Sequence, residues 1–242
     1  MIKLTGVSKQ FEEKKILDNV NLEIPDGQKL AVIGVSGCGK STLLRLLTRL
    51  SDVTKGAIFI GDKEITLLDE EALSKIRRSI GFVFQTSALF DSLSVFENVA
   101  FGLRQQGGFT ESEISKIVLE RLKMVDLHDT EQLMPSELSG GMQKRVSLAR
   151  AIATDPKIIL YDEPTTGLDP VTSTVIEDLI NKLAKQFKAI SIIVTHQMTT
   201  VYRTCDRVIM LHEGKLIETG NVEQTLKTND PIVKNFIKGG LT

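Results

Sequence analysis

Leu30-Ala31-Val32-Ile33-Gly34-Val35-Ser36-Gly37-Cys38-Gly39-Lys40-Ser41-Thr42-Leu43 carries the reading of the whole chain. Its first four residues are apolar without polar alternation, the pattern of a strand covered on both faces, and the run 42–50 beyond the glycines reads as a helix. Between them the spacing G-x-x-x-x-G-K-[ST] holds. Glycines let successive backbone N–H groups curl round phosphate oxygens, and the start of the following helix adds partial positive charge. Lys40 then reaches the terminal phosphates, and Ser41 supplies a hydroxyl for Mg²⁺. A glycine-rich turn with a chance Lys-Ser is the bland alternative, and the strand-then-helix flanks argue against it. Alone, the loop implies a nucleoside triphosphate and nothing finer.

Outward from this loop, the stretches 80–84, 158–161 and 190–194 repeat the unalternated apolar pattern, which predicts a parallel α/β sheet. Upstream, 2–11 and 16–24 read as strands with Pro25-Asp26-Gly27 as a turn, so an antiparallel β layer is expected beside the parallel core. Between about 94 and 153 the strand signals stop. There Ile114, Val118, Leu122 and Val125 form a helical stripe, with Thr110 and Glu113 as a capping box. Strands resume at Lys157, and 223–240 reads as short helices broken around Asp230-Pro231.

Composition narrows the function classes. The 242 residues carry 30 Lys+Arg against 31 Asp+Glu, with two Tyr and no Trp, so there is neither a basic field nor a stacking platform for nucleic acid. Cys38 and Cys205, far apart and outside any CxxC, predict neither a disulfide framework nor a zinc site, and fit a reducing compartment. No stretch reaches the ~18 apolar residues of a membrane span, and the start lacks a signal-peptide core. Any membrane role is therefore expected through a partner.

Two further constellations carry chemistry. Ile158-Ile159-Leu160-Tyr161 delivers Asp162-Glu163 at a strand end, where parallel sheets bind ligands. Asp162 suits the Mg²⁺ shell, and Glu163 suits orienting or deprotonating an attacking water. The bland alternative is a solvated acidic strand end. Leu138-Ser139-Gly140-Gly141-Met142-Gln143 is a second anion-ready helix start, and spacing alone does not place it on the same nucleotide. A lone His after a strand is usually a satisfied polar residue, and His128 and His212 keep that reading.

The set resembles the ABC ATPases: the phosphate loop at 34–41, Gln85 after a strand, the 138–143 signature, Asp162-Glu163, Gly167-Leu168-Asp169-Pro170, and His196 after the 190–195 strand. The likeness spans the chain in the family's order. It implies an ABC ATPase fold in a single domain, 1–242. A RecA-like parallel core would occupy 1–85 and 155–222, an inserted helical subdomain 86–154 and a C-terminal tail 223–242. It implies ATP bound by Gly34, Ser36, Gly37, Cys38, Gly39, Lys40, Ser41 and Thr42, with Phe11 stacking on adenine. Mg²⁺ would be held by Ser41, Gln85 and Asp162, with Glu163, His196, Lys40 and Gln85 acting on the γ-phosphate and water. It implies a head-to-tail homodimer in which Ser139, Gly140, Gly141 and Gln143 reach the partner's nucleotide and Asp169 communicates between protomers. The signature departs from many members at Met142, where they have Gln, and Thr165-Thr166 stands where exporters often have Ser-Ala.

Finer strings, Gln85-Thr86-Ser87-Ala88-Leu89-Phe90 through Phe101, Leu133 through Leu138, and Asn229 through Phe236, look like the ATPase of Mla-type phospholipid transporters. That resemblance implies an integral membrane permease, an MCE-domain lipid carrier, a STAS-type regulatory subunit, no nucleic acid, and a place on the cytoplasmic face of the inner membrane. Leu89, Phe90 and Phe96, with Leu93, would form the groove that receives the permease, leaving Phe90 or Leu89 partly exposed. An ATPase of an amino-acid or other small-solute importer is the alternative, because it shares every catalytic motif. A nucleotide kinase would share the phosphate loop but gives no reason for the signature or for His196.

Overall fold

In chain order, β1 (Ile2–Phe11) and β2 (Lys14–Ile24) lead through the Pro25-Asp26-Gly27 turn into β3 (Lys29–Ile33), the phosphate loop and α1 (Lys40–Leu47). β4 (Lys55–Ile60), β5 (Lys63–Glu64), α2 (Glu70–Arg77) and β6 (Ile80–Val83) follow. Next come α3 (Val95–Gln106), α4 (Glu111–Met124), a 3₁₀ turn at Pro135–Glu137 and α5 (Gly140–Ala151). β7 (Ile158–Asp162), α6 (Pro170–Phe187), β8 (Ile190–Thr195), α7 (Met198–Thr204), β9 (Arg207–His212) and β10 (Lys215–Gly220) precede α8 (Val222–Leu226) and α9 (Pro231–Ile237). This computed structural model describes residues 1–239; the last residues of the expected 223–242 tail lie outside the described residues.

The chain divides into two compact units, Met1–Ser74 with Ile190 onward, and Lys75–Ala189. The sequence reading drew its internal boundaries at 85 and 155. Those boundaries follow strand signals rather than contact density; within the second unit, α5 packs on both β6 and α6.

In the first unit, β1 pairs antiparallel with β2 and β4, and β4 with β5, in the order β2-β1-β4-β5. Ile2, Leu4, Val7, Leu17, Val20, Leu22 and Ile24 are buried from this layer at near-alternate positions, as a half-covered sheet requires. β3 pairs in parallel with β8 and β9, with Ile33 opposite Thr195 on one side and Met210 on the other. Residues 30–33 and 190–195 are all buried, as their unalternated patterns predict. The three strands therefore end at one edge, which places the phosphate loop and His196 side by side in the sequence of strand ends. β9 turns into β10 through Glu213 and Gly214, both at positive φ (46° and 78°), a two-residue hairpin of the primed kind. In the tail, Asn221 and Asp230 cap α8 and α9, and Pro231 opens α9. Val222, Val233, Phe236 and Ile237 cover Ala31, Ile33, Val208 and Met210.

In the second unit, β6 and β7 run parallel, Val83 opposite Tyr161, so Gln85 and Asp162-Glu163 leave the same edge. The α4 stripe of Ile114, Val118 and Leu122, with Val125 at its end, is buried, and the Thr110–Glu113 capping box is formed in both directions. Among the described residues no helix is long and apolar enough to cross a membrane.

Candidate functional site

In the first unit, the candidate residues lie at the end of β3. Gly39 stands just before α1 with φ 112°, and a Cβ there would meet the Ile16 Cγ2 at 2.6 Å, so only glycine lets the loop close this way. The closure draws Lys40 inward until it is 5% exposed, where its ammonium donates to the carbonyl oxygens of Gly34 at 2.8 Å and Val35 at 3.1 Å. A buried cation is thus held by the loop's own acceptors. Ser36 and Gly37 are exposed, while Cys38, Ser41 and Thr42 are half-buried. His196 emerges exposed one residue beyond Thr195, on the strand that pairs with β3. Phe11 ends β1 with its ring 49% exposed and the Lys9 ammonium 4.5 Å from its centroid.

In the second unit, the candidate residues lie at the ends of β6 and β7. Residues 158–161 are buried and Asp162 is half-buried. Glu163 adopts φ 47° and is 7% exposed: a left-handed backbone and a buried carboxylate at once. Such geometry in a residue other than glycine clusters at functional sites. The Thr166 hydroxyl donates to Glu163 Oε2 at 3.2 Å, and the Thr166 amide donates to the Glu163 carbonyl. Asp169 caps α6, its carboxylate accepting from the amides of Val171 and Thr172 and from the Thr172 hydroxyl. These bonds, the Thr172 hydroxyl first, hold its pKa below the usual carboxylate range. The residue expected to signal across a dimer is engaged by its own helix in the single chain.

The signature opens α5. Ser139 is its N-cap, accepting from the Met142 amide at 3.3 Å, and Gly140 is exposed. A Cβ on Gly141 would meet the Thr172 Cγ2 at 2.6 Å, so the first turn of α5 sits against the first turn of α6 only because that position is bare. Gln143, expected with the signature's outward face, is directed elsewhere: its amide nitrogen donates to the carbonyls of Pro135 at 3.0 Å and Leu138 at 3.4 Å and braces the preceding 3₁₀ turn.

Three residues that sequence reasoning missed organise the segment after β6. Gln85 is exposed, but its carbonyl accepts from the Lys144 ammonium at 2.6 Å, as does that of Phe84 at 3.2 Å. Ser87 and Ala88 take positive φ, and the Arg150 guanidinium donates to their carbonyls at 2.8 and 2.6 Å. Asn98 is fully buried: its Oδ1 accepts from the Phe90 amide at 2.8 Å and its Nδ2 donates to the carbonyls of Phe90, Leu93 and Ser94. The signal was periodicity. Lys144 shares a helical face with Leu148 and Ala151, and Asn98 lies in the Val95–Val99–Leu103 stripe, so each is a polar residue on a buried face. Phe90 is 42% exposed, as the sequence reading expected, packing against Phe101 with ring centroids 4.7 Å apart; Leu89, Leu93 and Phe96 are half-buried.

Comparison with known proteins agrees with this geometry. The family described as ABC transporter matches residues 17–166. The chain is 43% identical to protein TRIGALACTOSYLDIACYLGLYCEROL 3, chloroplastic, of Arabidopsis thaliana, over 100% of this chain and 74% of that protein. It is 46% identical to the methionine import ATP-binding protein MetN of Haemophilus ducreyi, over 93% of this chain and 66% of that one. Among solved structures, the dimeric post-hydrolysis state of the ATP-binding cassette MJ0796 bound to ADP and Pi superposes with a TM-score of 0.84 at 38% identity, covering 92% of this chain and 99% of that one. Phosphate loop, paired carboxylates, signature helix and cassette fold thus converge, and the chain belongs to the ABC transporter family as one of its ATP-hydrolysing cassettes.

Proposed function

We propose that two copies of this chain bind two ATP molecules head to tail and hydrolyse them to drive a separate integral membrane permease. The observation that carries the chemistry is Glu163, a buried carboxylate in left-handed backbone directly beyond Asp162. Poised on a water, it accepts the proton as the water attacks the γ-phosphate. The Lys40 ammonium exchanges its loop carbonyls for phosphate oxygens and neutralises the charge that develops there. His196, at the neighbouring strand end, donates to the same phosphate. The exposed Phe11 ring offers its face to adenine. Ser139, Gly140 and Gly141 present the amides of the α5 N-terminus to the partner's nucleotide.

Ser41, Gln85 and Asp162 fit Mg²⁺ by donor type, all offering oxygen. They include one carboxylate, and Mg²⁺ held by them would supply charge neutralisation to the phosphates. Glu163→Gln keeps the shape and removes the base: we expect nucleotide binding to persist, ATP-dependent dimers to accumulate and hydrolysis to fall at least ~100-fold. Hydrolysis near the wild-type rate would remove Glu163 from this role.

For the cargo, likeness to methionine import ATP-binding proteins favours an amino-acid or small-solute importer. The lipid reading keeps one specific support, the match across the whole chain to a protein whose name is that of a galactolipid. An MCE-domain carrier and a STAS-type subunit belong to that second reading alone. Co-purifying the chain with its permease and measuring ATPase stimulation by methionine and by phospholipid vesicles separates the two. In either case the permease would seat on the exposed Phe90–Phe101 pair and hold the chain against the cytoplasmic face of the membrane.

A further inference from the structure

Lys144 is 4% exposed, a rare state for a lysine, and no local need of α5 explains a charge there. From the signature helix, five residues beyond Ser139, its ammonium donates to the carbonyls of Phe84 and Gln85 at 3.2 and 2.6 Å. Those carbonyls follow β6, whose Val83 pairs with Tyr161 of β7, so they leave the same strand edge as Asp162 and Glu163. Arg150, on the same helix, fixes the next two carbonyls, Ser87 and Ala88.

We propose that Lys144 is a positioning residue for hydrolysis: it ties the signature helix to the Gln85 turn, and through the paired ends of β6 and β7 to the strand edge that carries Asp162 and Glu163 of the same chain. Engagement of the signature by one nucleotide is thereby passed to the water-activating groups that act on the other. The inference rests on the head-to-tail reading above and adds the physical link between its two sites. A hydrophobic residue of the same length would fill the space at lower desolvation cost, yet would leave the Phe84 and Gln85 carbonyls without this donor.

The experiment compares Lys144→Arg, Lys144→Gln and Lys144→Met in the full chain. The readouts are kcat and KM for ATP, the Hill coefficient for ATP, equilibrium binding of a fluorescent ATP analogue, and Tm. The expected result for Met is a fall in kcat of at least about tenfold, with KM and analogue binding within about twofold and the Hill coefficient moving toward one. Arg keeps both charge and donors and restores most of kcat. Gln keeps a donor without the charge and falls between, and it carries the test if Met does not fold. The proposal is overturned if folded Met or Gln variants keep kcat within twofold of wild type, if KM rises while kcat holds, or if Arg is no better than Met. Wild-type protein lacking ATPase activity would instead overturn the function proposed above, so the two failures are distinguishable.

Discussion

Truncating Asn98 to alanine isolates the side chain that braces the Phe90–Ser94 part of the loop between Gln85 and α3. The carboxamide makes four contacts, but they are not equally exposed to loss. The Ser94 carbonyl keeps the amide of residue 98 itself, and the Phe90 carbonyl keeps the Leu93 amide at 3.0 Å. Among the described hydrogen bonds, only the Phe90 amide and the Leu93 carbonyl lose their partner. At about 1–3 kcal/mol for each buried group so orphaned, the ceiling is about 6 kcal/mol. Phe90 is 42% exposed, so water reaches that end of the loop and draws the cost to the lower part of the range, about 2–4 kcal/mol. For a chain of this size each kcal/mol moves Tm by ~2–4 °C, which gives a drop of roughly 5–15 °C. Urea unfolding should show a lower midpoint at unchanged m-value, and native-state hydrogen exchange should show protection lost selectively at the Phe90 amide. A loss below about 0.5 kcal/mol, the level of an ordinary surface substitution, or an unchanged Phe90 amide, would refute the claim that this carboxamide organises the loop.

Phe90→Ala removes a ring that is little more than half covered, so about 1–2 kcal/mol of stability should be lost, against ~3–5 kcal/mol for a fully buried phenylalanine. Its effect should fall on co-purification with the permease; a core-sized loss of stability with undiminished co-purification would return Phe90 to a packing role. Burial pushes the Cys205 thiol up to about 12, so near pH 7.5 iodoacetamide should spare it, and label at Cys38 in the phosphate loop should fall when ATP is bound. Mass spectrometry of the digested protein reads both sites, and equal Cys38 labelling with and without ATP would count against its place at the nucleotide.

What could be read from the sequence was whatever the chain encodes locally. The phosphate loop needs eight consecutive residues, and the unalternated runs of β3, β7 and β8 announce strands covered on both faces. The α4 capping box is a four-residue signal, and it is formed. β4 and β10 escaped because each is short and half-exposed, with a pattern that resembles a loop until its partner is known. The polar contacts around Gln85 escaped for another reason. Lys144 and Gln85 are 59 residues apart, and Arg150 and Ser87 are 63 apart. Their acceptors are main-chain carbonyls, which carry no side-chain identity for a motif to reveal. Gln143 shows the same limit in reverse: its position in the signature suggested an outward role, while the direction of its amide was decided by the Pro135 and Leu138 carbonyls of the turn before it.

These long-range contacts turn α5 from a phosphate-binding helix start into a strut with two fixed ends. At its first turn the bare Gly141 lets Thr172 approach, and the Thr172 hydroxyl is bonded to the Asp169 carboxylate, so the signature, the α6 cap and Asp169 move as one contact chain. One to three turns later, Lys144 and Arg150 fasten the carbonyls of residues 84, 85, 87 and 88, beyond which lie Phe90 and the exposed aromatic pair. In the function proposed above, the face offered to a partner's nucleotide and the loop leading to the permease face would both be attached to α5. Between them the helix is packed through the buried Val146, Ser147, Leu148 and Ala149, and closely packed interiors transmit strain. On the proposed reading, nucleotide occupancy at the signature and permease contact at Phe90 would bias each other through α5, with Lys144 the link from that helix to the Gln85 turn.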